Sequence, residues 1–141
     1  MDYNELFSQE ILPHPGAKIK TDISGIQWFS PDGLFISVPW KNVPESTIEF
    51  IKESERQWAI DHGDEKIAWL TIVNPQTRSS KEVRDYMAEI LPKYIKALAM
   101  VNYSPLGRMA ANLFFGIKRQ DYPVKMFSNV ESALKWIKPY L

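Results

Sequence analysis

The run "KIAWLTIV", residues 66–73, does most to limit the folds open to this chain. It is almost continuously apolar, as a strand buried on both faces must be. "IKALAMVNY", 95–103, repeats the pattern. Between them Val83, Tyr86, Met87, Ile90 and Leu91 recur at helical spacing, and Pro92 is expected to limit that helix at about 80–91. Two buried strands joined through a helix pair parallel, with the helix as the crossover.

The flanking segments extend this core. In "GIQWFSPDGLFISVPW" two short apolar runs surround Ser30-Pro31-Asp32-Gly33. Proline fixes one dihedral angle and glycine accepts positive φ, so a β-hairpin is expected, with strands near 24–29 and 34–39. Asn42, with Glu45 three residues on and Pro44 between, has the spacing of a helix start. Ile48, Ile51, Trp58 and Ala59 then share a face, and Gly63 stops the helix. Further on, Ser104 before Pro105 opens a helix over 105–117 whose stripe includes Leu106, Met109, Leu113, Phe114 and Ile117. "PVKMF", 123–127, is a short strand, and Ser128 with Glu131 forms a capping box for a last helix carrying Leu134, Trp136 and Ile137. The order β-β-α-β-α-β-α-β-α predicts an α/β fold: a mixed sheet, antiparallel at its N-terminal hairpin, parallel afterwards, with flanking helices. Residues 1–20, broken by Pro13, Pro15 and Gly16, read as an N-terminal arm and 21–141 as one domain.

Composition narrows the function classes. With 141 residues, 45% hydrophobic and 24% charged, the chain can bury a core without staples. It has no cysteine, which removes disulfides, thiolate metal sites and cysteine nucleophiles. The acidic start "MDYNELFSQE" is not that of a signal peptide, and no run reaches the ~18 apolar residues of a membrane helix. A cytoplasmic location and no membrane span are expected. Net charge is zero, but residues 1–90 carry 9 Lys/Arg against 15 Asp/Glu and residues 91–141 carry 8 against 2. Such bipolarity favours self-association as a homodimer or an acidic partner. The scattered basic residues argue against nucleic acid.

Catalytic chemistry is thin. The two histidines, His14 in the arm and His62 beside Asp61, have no second ligand at metal spacing, so neither metal nor cofactor is expected. There is no Gly-x-Ser-x-Gly elbow, phosphate loop or dinucleotide fingerprint. Attention falls on Arg78-Ser79-Ser80-Lys81, where a strand gives way to a helix. Ser79 with Glu82 three residues on fits a capping box. Ser80 would then lie in the first turn, where free N–H groups favour an anion near Arg78, Lys81 and Arg84. A second candidate is a ligand pocket beside helix 105–117, lined by Tyr103, Met109 and Phe114, with Arg108 or Arg119 at its mouth. Of five tryptophans, Trp28, Trp58, Trp69 and Trp136 read as core and Trp40 as exposed.

"ALAMVNYSPLGRMAANLFFGIKRQDYPVKMFSNVESALKWI" resembles the SpoIIAA-like, STAS-related bacterial proteins, and the resemblance covers 21–141. It implies a mixed β-sheet flanked by helices. It also implies a non-enzymatic regulatory role, since STAS anti-sigma factor antagonists act by binding a partner protein. Their switch serine lies at the start of the helix after the central strand, in Asp-Ser-Ser-Gly. Here Ser79 and Ser80 keep the serine pair, while Arg78 and Lys81 replace the acid and the glycine. The resemblance thus implies the place of a site more than its phosphorylation. The expectation is a protein-binding regulatory module with an unknown protein partner. The alternative is a carrier or sensor of a small apolar or anionic ligand.

Overall fold

The computed structural model describes residues 2–109 and 121–141. Six strands lie in one sheet in sequential order: β1 (Lys20–Thr21), β2 (Gly25–Phe29), β3 (Phe35–Pro39), β4 (Ile67–Ile72), β5 (Ile95–Val101) and β6 (Val124–Phe127). β1, β2 and β3 pair antiparallel; β3 to β6 pair parallel. The mixed sheet with its antiparallel hairpin is therefore the expected one, extended by β1. That strand is only two residues long, too short to show a period.

Strand alternation sorts the apolar side chains onto two faces. Ile26, Trp28, Ile36, Val38, Leu70, Ala99 and Val101 belong to one cluster, which also holds Leu6 of the N-terminal segment and Val130, Ala133 and Ile137 of helix α3 (Val130–Ile137). Phe35, Ile67, Ile95 and Leu98 belong to the other. There Trp58 of α1 (Ile48–His62) and Leu91 and Tyr94 of α2 (Lys81–Tyr94) pack on top. Residues 105–109 are helical; Leu113, Phe114, Phe115, Ile117 and Arg119 lie outside the described residues.

Residues 2–19 pack on the first face. Leu6 is 1% exposed, the Phe7 N–H donates to the Pro39 carbonyl at 2.8 Å, and the Lys41 N–H donates to the Glu5 carbonyl at 2.8 Å. Glu10 accepts from the Tyr103 hydroxyl at 2.7 Å and from the Val130 N–H at 2.9 Å. It thereby satisfies a donor that opens α3 and would otherwise lack a partner.

Several helix ends differ from expectation, each for a local reason. α1 starts at Ile48 with Thr47 as cap, not at Asn42, because the Ser46 N–H donates to the Arg78 carbonyl at 3.2 Å and holds that stretch extended. Gly63 ends it with φ +57, as expected. α2 runs through Pro92 to Tyr94. Its last turn is held by the Tyr94 ring against Trp58 (5.9 Å between centroids) and by the Tyr94 hydroxyl on Glu55 at 3.0 Å. Asn129, not Ser128, caps α3, accepting from the Ser132 N–H at 2.8 Å. Leu134 and Ala59 face solvent. Trp40 is half-buried rather than exposed, its indole donating to the Asp22 carbonyl at 2.9 Å.

Because Leu6 fills the first core cluster from outside the sheet, Leu6→Ala is expected to cost about 2–5 kcal/mol. Urea unfolding followed by tryptophan fluorescence measures it; a loss under about 0.5 kcal/mol would mean the arm does not belong to the core.

Candidate functional site: an aromatic cleft under α1 and α2

On the second face three apolar runs each carry one polar residue: Gln27 in β2, Ser37 in β3 and Thr71 in β4. The register makes them direct cross-strand neighbours, Gln27 opposite Ser37 and Ser37 opposite Thr71. Lys20 of β1 lies opposite Gln27. Gln27, Ser37 and Thr71 form a half-buried polar stripe whose groups are hydrogen-bonded, as partial burial favours: Gln27 donates to Asp22 Oδ2 at 2.8 Å. The Trp69 indole donates to the Ser37 hydroxyl at 2.9 Å, and that hydroxyl donates to Thr71 Oγ1 at 2.8 Å.

Over the stripe lies a cleft of about 150 Å³. Lys20, Gln27, Phe35, Ser37 and Trp69 come from the sheet, with Asp22 and Ser24 at its edge. Phe50, Ile51, Ser54, Glu55 and Trp58 come from α1, and Met87, Ile90 and Leu91 from α2. Trp58 stands nearly perpendicular to Phe35 (5.5 Å, 87°) and to Trp69 (5.8 Å, 83°). Edge-to-face rings at these distances attract one another and keep the wall stiff. Glu55 accepts from the hydroxyls of both Tyr86 and Tyr94. The hydrogen bond to that carboxylate, with burial and its charge behind it, pushes the Tyr86 phenol up to about 12. Burial first, then the same carboxylate, raises Tyr94.

The serine loop sits at the N-terminus of α2. Ser80, not Ser79, is the cap: its Oγ accepts from the Val83 N–H at 3.2 Å, so no capping box with Glu82 forms. Ser79 instead makes a parallel bridge with Ser46, and its carbonyl accepts from Arg84. Lys81 pairs with Asp85 at 2.7 Å. Arg78 and the Ser80 side chain are exposed. The loop therefore brings Arg78, Ser79, Ser80, Lys81 and Arg84 together, but with Lys81 and Arg84 already engaged.

The residues expected to line a pocket beside 105–117 do not meet at the cleft. Tyr103 is bound to Ser8 and Glu10 on the other side of the sheet edge, and burial with the Glu10 bond pushes its phenol up to about 12. Arg108 donates to the Asn102 carbonyl at 2.7 Å, Met109 is exposed, and Phe114 and Arg119 lie outside the described residues. Sequence reasoning missed Gln27, Ser37 and Glu55. The available signal was one polar residue at the centre of each of "GIQWF", "FISVP" and "WLTIV". Among the described residues no His, Asp and Glu cluster could hold a metal, and no helix is long and apolar enough to cross a membrane. His62 packs beside Phe29, with ring centroids 5.3 Å apart.

An antiparallel hairpin leading into parallel strands, with helices on both faces, defines an α/β module of the SpoIIAA-like fold. The chain belongs to the family described as "Domain of unknown function (DUF7793)", matched over residues 28–141. Its structure is similar to the crystal structure of an uncharacterized protein from the DUF3478 family with a SpoIIAA-like fold, from Shewanella loihica PV-4. Identity is 15%, the alignment covers 86% of this chain and 92% of that one, and the TM-score is 0.54, so the likeness concerns fold alone. A protein with unknown function from Arthrobacter sp. FB24 aligns at 21% identity over 84% of this chain and 95% of that one. Its TM-score of 0.26 is too low to indicate a shared fold. No curated protein matches the sequence.

Two predictions follow from these bonds. Ser80→Ala is expected to destabilise by about 0.5–2 kcal/mol and Ser79→Ala by under about 0.5 kcal/mol; the reverse order in urea unfolding would restore Ser79 as the cap. For Tyr86, the folded chain holds the phenol proton more tightly than the unfolded one. Its contribution is present at neutral pH and is lost as pH rises from 10.0 towards about 12. Spectrophotometric titration should show a late-titrating phenol that moves back towards its ordinary value in Glu55→Gln.

Proposed function

We propose that this chain is a non-enzymatic ligand sensor. The cleft takes a small, largely apolar molecule, and a protein partner reads its occupancy at the 78–81 loop. The supporting observation is that one helix serves both places: α2 lends Met87, Ile90 and Leu91 to the cleft and has Ser80 as its cap. A molecule wedged against those three side chains bears on a stiff rod whose other end is the loop. Packed elements shift as units rather than deforming locally. A volume of about 150 Å³ suits a one-ring molecule; an apolar cavity of that size holds benzene. The polar groups present are arranged for holding rather than reacting. Ser37 is bonded to Trp69 and Thr71, Glu55 is held by two phenols, and none of the described residues lining the cleft is a histidine. The resemblance to partner-binding STAS proteins supports the output half of the reading.

The reading is tested with a panel of one-ring compounds, followed by tryptophan emission and by amide exchange at residues 79–84. At least one is expected to shift emission saturably and to slow exchange at the loop. Ser54→Trp, which fills the cleft from α1, is expected to abolish both effects. A panel without any emission change, or binding indifferent to Ser54→Trp, overturns the reading.

A further inference from the structure

Resting on that reading, the geometry points to a small organic cation, a protonated or quaternary amine on a one-ring body, as the ligand class of the cleft. Three charged side chains line it, Lys20, Asp22 and Glu55, so the lining is negative by one charge. Asp22 has little room for a ligand. It accepts from the Ser24 N–H at 2.8 Å, the Ser24 hydroxyl, the Gly25 N–H at 3.3 Å and Gln27 Nε2 at 2.8 Å. It lies two residues after Lys20, the one cationic side chain in the lining.

Glu55, in the middle of α1, is different. Among the described residues no lysine or arginine forms an ion pair with it. Each of its oxygens accepts one phenolic hydrogen bond. A carboxylate offers about four lone-pair sites, so acceptor capacity remains. Lys52, three residues earlier in α1, does not take that place; its Nζ lies over the Tyr86 ring, 5.7 Å from the centroid. Three residues later, Trp58 sits with Trp69 and Phe35 in the aromatic wall. Aromatic faces are negative and attract cations within about 6 Å. A cation in the cleft would meet a carboxylate and aromatic rings together. An anion would be repelled by the same carboxylate, and among the residues lining the cleft the one side chain that would favour it is exposed Lys20, whose charge water and salt screen.

Benzylammonium, benzyl alcohol and phenylacetate share a ring and differ in charge, and they separate the possibilities. Each is titrated into the intact chain at pH 7 and low salt, with tryptophan emission as the readout. Benzylammonium is expected to bind about tenfold more tightly than the alcohol, and phenylacetate most weakly. Glu55→Gln is expected to erase the preference for the ammonium over the alcohol. If the alcohol or phenylacetate binds as tightly as the ammonium, the cation assignment is overturned and the ligand-sensing reading stands. If none of the three, nor any compound of the wider panel, alters emission, both fall. Should Glu55→Gln fail to fold by circular dichroism, the charge series on the unsubstituted chain decides alone.

Discussion

The rest of the structure depends on β3, β4 and β5 carrying large apolar side chains on both faces. Ile36, Leu70 and Ala99 point one way and Phe35, Trp69 and Leu98 the other, and both sets lie under cover. One layer of helices cannot bury both. α1 and α2 take one face. The other is closed by α3 and by the N-terminal segment, which is why Leu6, more than ten residues before the first strand, is as buried as the sheet's own centre.

The cleft follows from an exception to that burial. Gln27, Ser37 and Thr71 put a polar stripe through an otherwise apolar face. Helices with wholly apolar undersides would strand those groups, at about 1–3 kcal/mol for each lost partner. Instead Ser37 pairs with Thr71 and the Trp69 indole, Gln27 pairs with Asp22, and a small space remains beneath the helices. Glu55, held between Tyr86 and Tyr94, joins α1 to the far end of α2 across it. α2 is thus tied at one end to the aromatic wall and at the other to the strand exits through the Ser79–Ser46 bridge.

Much of the fold was legible in the chain. "KIAWLTIV" and "IKALAMVNY" announced the buried parallel strands, and Pro31-Asp32-Gly33 the hairpin, because both signals are local. Caps were legible to within a residue or two at α2 and α3. Ser79 stands beside Ser80 and Ser128 beside Asn129, each able to accept the first helical N–H. The choice fell to the residue left over once its neighbour was committed elsewhere, Ser79 to the bridge with Ser46 in the first case. The start of α1 was misplaced by more, since the strand-like pairing of Ser46 with Ser79 joins segments over thirty residues apart. Of the site, the serine loop was visible and the cleft was not. Its lining comes from β1, β2, β3, β4, α1 and α2, and no short window of sequence contains more than a fragment of it.

Hydrophobic periodicity and turn chemistry were enough to determine a mixed α/β sheet with flanking helices, because those properties act over a few residues at a time. Which residues would share a space was settled elsewhere. Sheet register placed Gln27 beside Ser37 and Ser37 beside Thr71, and helix docking laid Glu55 and Trp58 over them. Register and docking are fixed by contacts between segments far apart in the chain, and those contacts exist only once the chain has closed on itself.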